Sequence, residues 1–163
     1  PAVKTQKDQD GLWEALLDER IDVIATDHAP HTFEEKSQKY LQAPSGGPLV
    51  QHALNVMLEN FKNRKISLEK IVEKMCHNPA ILFQIEKRGF IKEGFKADLV
   101  LVDLNANYTV FKENILAKCG WSPFEGTEFH SKITHTFVNG FLAYENGKVS
   151  EEKHGERLLF ERL

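Results

Sequence analysis

The sequence predicts an α/β fold, in which a helix–strand unit of parallel-sheet type gives way to an antiparallel β-rich unit. Three observations predict it. A near-continuous apolar run, IDVIA at residues 21–25, follows a helical stretch after one short turn. Two amphipathic helical stretches come next, between residues 48 and 78. Roughly the last 70 residues then carry two Asn-Gly pairs, Asn139-Gly140 and Asn146-Gly147, among strand formers. A strand covered on both faces, as in a parallel sheet, reads as a continuous apolar run. Asn-Gly between strand formers is the strongest short hairpin signal.

In chain order, residues 8–19 are expected to be helical. Asp8 or Asp10 can cap the first turn, and Leu12, Trp13, Leu16 and Leu17 recur at helical spacing. A helix tightly joined to a strand is the αβ half of a βα repeat. Residues 26–47 form a long loop with one short helix near 33–40, ending in QAPSGGPL. A loop this long in a compact domain is usually functional or disordered. Gly46 and Gly47 permit positive φ or close backbone approach to a ligand; an equal reading makes them a turn before a helix opening at Pro48. The helix at 48–62 directs Leu49, Ala53, Val56, Met57 and Phe61 to a core. SLEKIVEKMCHN, residues 67–78, is another, with Ser67 as N-cap and Leu68, Ile71, Val72 and Met75 inward. Asn78-Pro79 restarts a short helix, PAILFQI. His52 and His77 are read as solvated or capping residues rather than ligands. A strand is expected over residues 98–104, then the two hairpins, then a charged, loosely packed tail, SEEKHGERLLFERL.

Composition narrows the function. The 163 residues are 41% hydrophobic and 28% charged, with a net charge of -3. That suits one globular domain or parts of two. No basic stripe points to nucleic acid, no apolar run approaches the roughly 18 residues of a membrane span, and no signal peptide is visible. Cys76 and Cys119 are isolated and show no zinc-ligand spacing, so a cytoplasmic location is expected. The chain opens at Pro1, and one parallel-type strand cannot make a sheet, so a piece of a longer protein is expected.

The chemistry concentrates in VIATDHAPHTFEEK, residues 23–36. In a parallel sheet or barrel the active site lies where strands end at their carboxyl side. Asp27 stands at that end, with His28 and His31 in a loop stiffened by Pro30. Two imidazoles within four residues of a carboxylate are material for metal ligation or proton transfer. The alternative, Asp27 capping a turn beside surface histidines, stays open on these residues alone.

ATDHAPHTFEEK resembles a dihydroorotase signature of the amidohydrolase superfamily: Thr26, Asp27, any residue, Ala29, Pro30, His31, four residues, Lys36. APSGG, residues 43–47, resembles the substrate loop that follows. GFIKEGFKADLVLVD, SPFEG and THTFVNG resemble the small β-domain beside the barrel. Ser45 and the run GPLVQH depart from the family's more usual residues. The family's His-x-His signature and its remaining metal ligands are not in these 163 residues.

The resemblance implies the C-terminal portion of a metal-dependent (β/α)8 TIM barrel, residues 1–88, with part of a small β-sandwich domain, residues 89–163. It implies zinc-dependent, reversible cyclisation of N-carbamoyl-L-aspartate to dihydroorotate in pyrimidine biosynthesis. Asp27 would be metal ligand and general acid/base, and His31, Ser45 and Gly46 would bind substrate. His28 would be a supporting or surface residue. Two zinc ions are expected in the intact enzyme, not held by this chain alone. A homo-oligomer is expected, and aspartate transcarbamoylase is a candidate partner. The alternatives are another cyclic amidohydrolase (hydantoinase/dihydropyrimidinase or allantoinase), or a non-catalytic dihydroorotase-like subunit of aspartate transcarbamoylase.

Overall fold

A computed structural model describes residues 3–161, so Pro1 and Ala2 of the opening PAVKT run lie outside the described residues. The first helix, α1, spans Gln6–Leu17. Its cap is Thr5, not Asp8 or Asp10. The Thr5 hydroxyl accepts the Asp8 N–H at 3.2 Å, and the Asp8 carboxylate accepts the Thr5 N–H at 2.8 Å. The acid therefore serves at the third helical position of a capping box, where it also meets the positive end of the helix dipole. Leu16 is buried, whereas Leu12 and Leu17 stay exposed. Leu12 and Trp13 line an open apolar groove with Ile21, Val23 and Ile24.

The run 21–25 joins no strand ladder among the described residues, which corrects the expected strand. A parallel strand draws its hydrogen bonds from neighbouring βα units. Here helices hold the backbone instead. The Ile21 N–H donates to the Ala15 carbonyl at 2.9 Å and the Ile24 N–H to the Lys74 carbonyl at 3.1 Å. The Asn78 amide donates to the Asp22 carbonyl at 2.8 Å.

The second correction concerns residues 67–82. Helix α4, Leu68–Val72, passes through a π-helical turn, Glu73–His77, into α5, Asn78–Leu82, with no restart at Asn78-Pro79. Ser67 caps it, accepting the Lys70 N–H at 3.1 Å. Pro79 has no N–H to give to a carbonyl in the preceding turn. The Asn78 N–H bonds to Glu73 rather than to Lys74. The Lys74 carbonyl is thereby released, and Ile24 takes it. Ile71 is buried, but Val72 is exposed.

The intervening short helix α2 spans Phe33–Lys36, less than the expected 33–40. The helix expected at 48–62 is a 3-10 turn, Val50–His52, followed by α3, Ala53–Lys62, so Pro48 lies outside it. Met57 of α3 packs with Leu16, Ile66 and Ile71 as the core of the helical part.

The β-rich part follows the expected pattern. Strands β1 (Leu99–Asp103), β4 (Lys132–Val138), β5 (Phe141–Glu145) and β6 (Lys148–Val149) form one antiparallel sheet in the order β1-β4-β5-β6. Strands β2 (Tyr108–Thr109) and β3 (Glu128–Phe129) form a second, two-stranded sheet. Asn139 and Gly140 have φ 52° and 86°, and Asn146 and Gly147 have φ 46° and 97°. Paired positive φ values define the tight turns that suit the strands' twist. Edge strand β1 leaves Val100 and Leu101 about half exposed.

The charged tail is mostly exposed, as expected, and is tied to the helical part near its end. The Glu86 N–H donates to the Leu159 carbonyl and the Glu161 N–H to that of Gln84, both at 2.9 Å. His52 is also corrected. It is 1% exposed, packed edge-on to Phe124 at 5.7 Å and stacked on Phe129 at 6.2 Å. Its Nδ1 lies 3.3 Å from the Ser122 hydroxyl, and among the described residues no group meets its Nε2. His77 stacks on Phe90 at 4.3 Å.

Candidate functional site

The site is built where the run 21–26 ends. Asp27 has φ +47°, a left-handed conformation that Asp and Asn adopt more readily than other side chains. The backbone turns sharply there and leaves Asp27 exposed. The segment beyond is pinned. The Ala29 N–H donates to the Gly47 carbonyl at 3.0 Å, and His28 and Gly47 form an isolated parallel bridge. Residues 27–31 and 45–47 therefore lie side by side, although 14 or more residues separate them in sequence.

His28 has a defined job. Its Nδ1 accepts the Val50 N–H at 3.2 Å, which places the ring proton of the neutral imidazole on Nε2 and satisfies a donor at the start of the 3-10 turn. His31 is held by its backbone. Its N–H donates to the Ala29 carbonyl at 2.9 Å, and its carbonyl accepts the Trp121 indole N–H at 2.8 Å. The His31 ring stays partly open to solvent, with Nδ1 3.6 Å from a Glu35 carboxylate oxygen. Ser45 and Gly46 are exposed on the facing segment.

Gly46 has φ +94°, and a Cβ built there would lie 2.6 Å from the Ala29 Cβ. Positive φ and close approach both apply, but the approach is to the signature loop itself. Lys36, at the end of α2, donates to the carbonyls of Pro44 at 2.7 Å and Gly46 at 2.9 Å. Lys36 and Trp121 were assigned no site role from sequence. Lys36 lies inside the quoted signature, but its target is eight to ten residues away; Trp121 reaches His31 across 90 residues.

A second charged group braces the strand from below. Glu19, itself at φ +71°, pairs with Lys70 and accepts from Lys74 at 2.6 Å. These two hydrogen bonds, that from Lys70 first, hold its carboxyl down at about 2. Lys74 is fully buried. It thus holds the strand twice, through its ammonium at Glu19 and its carbonyl at Ile24.

Among the described residues, no group of three or more His, Cys, Asp and Glu side chains is placed to hold a metal ion. Asp27 fits as one exposed carboxylate ligand, and catalytic zinc needs about three protein ligands. No helix of the described residues is long and apolar enough to cross a membrane.

An apolar run ending in an exposed left-handed aspartate, followed by helices and an antiparallel β unit, makes the described residues a mixed α/β piece. The chain belongs to the amidohydrolase family, whose sequence profile matches residues 3–143. It is 38% identical over 147 residues to the dihydroorotase of Clostridium acetobutylicum, covering 90% of this chain and 34% of that protein. It is 40% identical over 152 residues to the dihydroorotase of Halobacterium salinarum, covering 92% and 35%. Among solved structures it resembles the L-hydantoinase (dihydropyrimidinase) from Arthrobacter aurescens, with a TM-score of 0.85 and 32% identity, over 93% of this chain and 35% of that one. The chain thus spans about a third of the length of the proteins it matches. The α/β class expected from the sequence is the class found.

Proposed function

We propose that this chain is part of a dihydroorotase, a hydrolase of a cyclic amide C–N bond that interconverts dihydroorotate and N-carbamoyl-L-aspartate in pyrimidine biosynthesis. The observation that carries the reading is Asp27: an exposed carboxylate on a left-handed backbone, beside a loop whose backbone is locked against residues 28–31. Its likeness to proteins named dihydroorotase, at 38% and 40% identity, supports the same assignment.

Asp27 is both a zinc ligand and the proton carrier. It takes a proton from the attacking water and returns it to the departing ring nitrogen; in ring closure the order reverses. Zinc, expected as two ions in the intact enzyme and held in part by Asp27, would supply Lewis acidity at the amide carbonyl and at water. The substrate carboxylate needs hydrogen-bond donors. The His31 ring and the backbone amides of Ser45 and Gly46 supply them from the two adjacent segments. His28 supports the site through Val50.

Residues 1–88 are assigned to the barrel part and 89–163 to the small β-domain. The stretch 105–131 ties the two: the Gln51 amide donates to the Asn114 carbonyl at 2.7 Å, and Trp121 donates to His31. A cytoplasmic, homo-oligomeric enzyme completes the reading, with aspartate transcarbamoylase as a candidate partner. The second reading is a hydantoinase, favoured by the structural likeness at 32% identity.

Steady-state kinetics on the intact, zinc-loaded enzyme test this. Asp27→Asn should lower kcat in both directions by about 10² to 10⁴-fold. His31→Ala should raise KM for dihydroorotate. A wild-type enzyme that opens hydantoins but not dihydroorotate overturns the first reading in favour of the second. An Asp27→Asn variant keeping more than about a tenth of wild-type kcat removes Asp27 from the mechanism.

A further inference from the structure

We propose that Lys36 is a positioning residue, whose ammonium gathers the Pro44 and Gly46 carbonyls and so turns the Ser45 N–H outward to receive the substrate's carboxylate. This deepens the reading above and rests on it for the nature of the ligand.

Nζ of Lys36 lies 2.7 Å from the Pro44 oxygen and 2.9 Å from the Gly46 oxygen. The two carbonyls flank Ser45 and converge on one cation. A peptide unit is planar and trans, so its C=O and the following N–H point in opposite directions. Aiming the Pro44 carbonyl at Lys36 therefore aims the Ser45 N–H at the far side of the loop. Ser45 is exposed, and among the described residues its N–H meets no protein acceptor. An outward backbone donor with no internal partner is available to an anion.

The lysine is itself well placed. Helix α2 is fixed by a capping box in which the Glu35 carboxylate accepts the Thr32 N–H at 2.8 Å and the Thr32 hydroxyl accepts the Glu35 N–H at 3.2 Å. The loop cannot shift inward to compensate for a lost clamp, because Ala29 fills the space beneath Gly46. Without the ammonium, two carbonyl dipoles would converge with nothing between them. The 43–47 segment would rotate to separate them and carry the Ser45 N–H away. The spare donor capacity of Lys36 plays no direct part, so it is not a catalytic residue.

The test uses the intact enzyme with Lys36→Met, which keeps the stem and loses the charge, and Lys36→Arg, which keeps two donors. Lys36→Met should raise KM for dihydroorotate at least about tenfold, the scale of lost charge-assisted hydrogen bonds, with kcat within about threefold. Lys36→Arg should recover part of that loss. Amide hydrogen exchange at Ala43 and Ala29, whose N–H groups donate to the Lys39 and Gly47 carbonyls, should quicken at least about tenfold in Lys36→Met, with exchange in the β-rich part unchanged. If Lys36→Met does not fold, Lys36→Leu, which also lacks a donor, is read in the same way. An unchanged KM in the folded variant overturns the proposal, as does unchanged exchange at Ala43 and Ala29. A wild-type enzyme inactive on dihydroorotate defeats the functional reading instead, and the exchange measurement then decides the clamp alone.

Discussion

Gly46→Ala tests the closeness of the two segments of the proposed site. An alanine there would hold its Cβ 2.6 Å from the Ala29 Cβ, whereas ordinary contact begins at 3.4 Å. The segments would have to part by about 0.8 Å in a packed setting. The cost has two parts. A side chain at φ +94° costs about 1–2 kcal/mol, and the overpacking about 1–3 kcal/mol. Only the second part depends on Ala29. A double-mutant cycle with Ala29→Gly separates them: the doubly substituted enzyme should recover about 1–3 kcal/mol and keep the φ penalty. Denaturation midpoints of the four proteins give the cycle, and kinetics give its functional side. A displacement near 1 Å at a positioning segment can cost about 100-fold in rate, so Gly46→Ala should be slow and the double variant faster. Additivity within about 0.5 kcal/mol would refute the contact between Gly46 and Ala29.

Three further outcomes follow from charge and hydrogen bonding. Glu19 titrates at about 2 in the folded chain against an ordinary 4.5, so the unfolded chain takes the proton first on acidification. Its stabilisation is complete above about 4.5 and is lost as pH falls toward 2; the gap in Tm between wild type and Glu19→Gln should be constant above pH 5 and close below it. Burial pushes the His52 imidazole below its usual 6.5. Wild type should therefore lose stability as pH falls below 6.5 and none above it, and His52→Phe should flatten that slope in a Tm-against-pH series. Trp121→Phe removes the hydrogen bond to the His31 carbonyl, with an expected loss of about 1 kcal/mol in stability and a higher KM for dihydroorotate; an unchanged KM would show that the indole does not help place His31.

The hairpins were legible because Asn-Gly states its backbone conformation locally, at 139–140 and again at 146–147. The aspartate that closes the apolar run was legible because residue type and order alone carry it. What escaped the sequence depends on partners distant along the chain. Residues 21–25 have the composition of a buried strand, yet the ladder that would make them one is not supplied by residues 3–161. His52 has a polar side chain on a helical turn, which favours solvent, but Tyr108, Phe124 and Phe129 close over it from the β-rich part. The cap of α1 was misplaced because three candidate cap residues lie within six positions, and only the geometry shows Thr5 and Asp8 acting together. Lys36 reads as one more charge on a short helix until the loop folds back over it.

The π-helical turn at Glu73–His77 makes residues 67–82 a helix that runs one residue out of phase with itself. Each helical residue advances the side chains by about 100°. Deleting a single residue from that turn, Cys76 for example, would let the Asn78 N–H meet the Glu73 carbonyl at ordinary α-helical spacing. Asn78 would keep its bond to the Glu73 carbonyl, but Pro79 would then stand four residues after Lys74, its ring against the carbonyl that Ile24 now takes. The protein could keep its helix, much of its helix content and its core while losing the alignment of the strand that presents Asp27. A change in length by one residue here would act as a change of aim at Asp27, far along the chain from it.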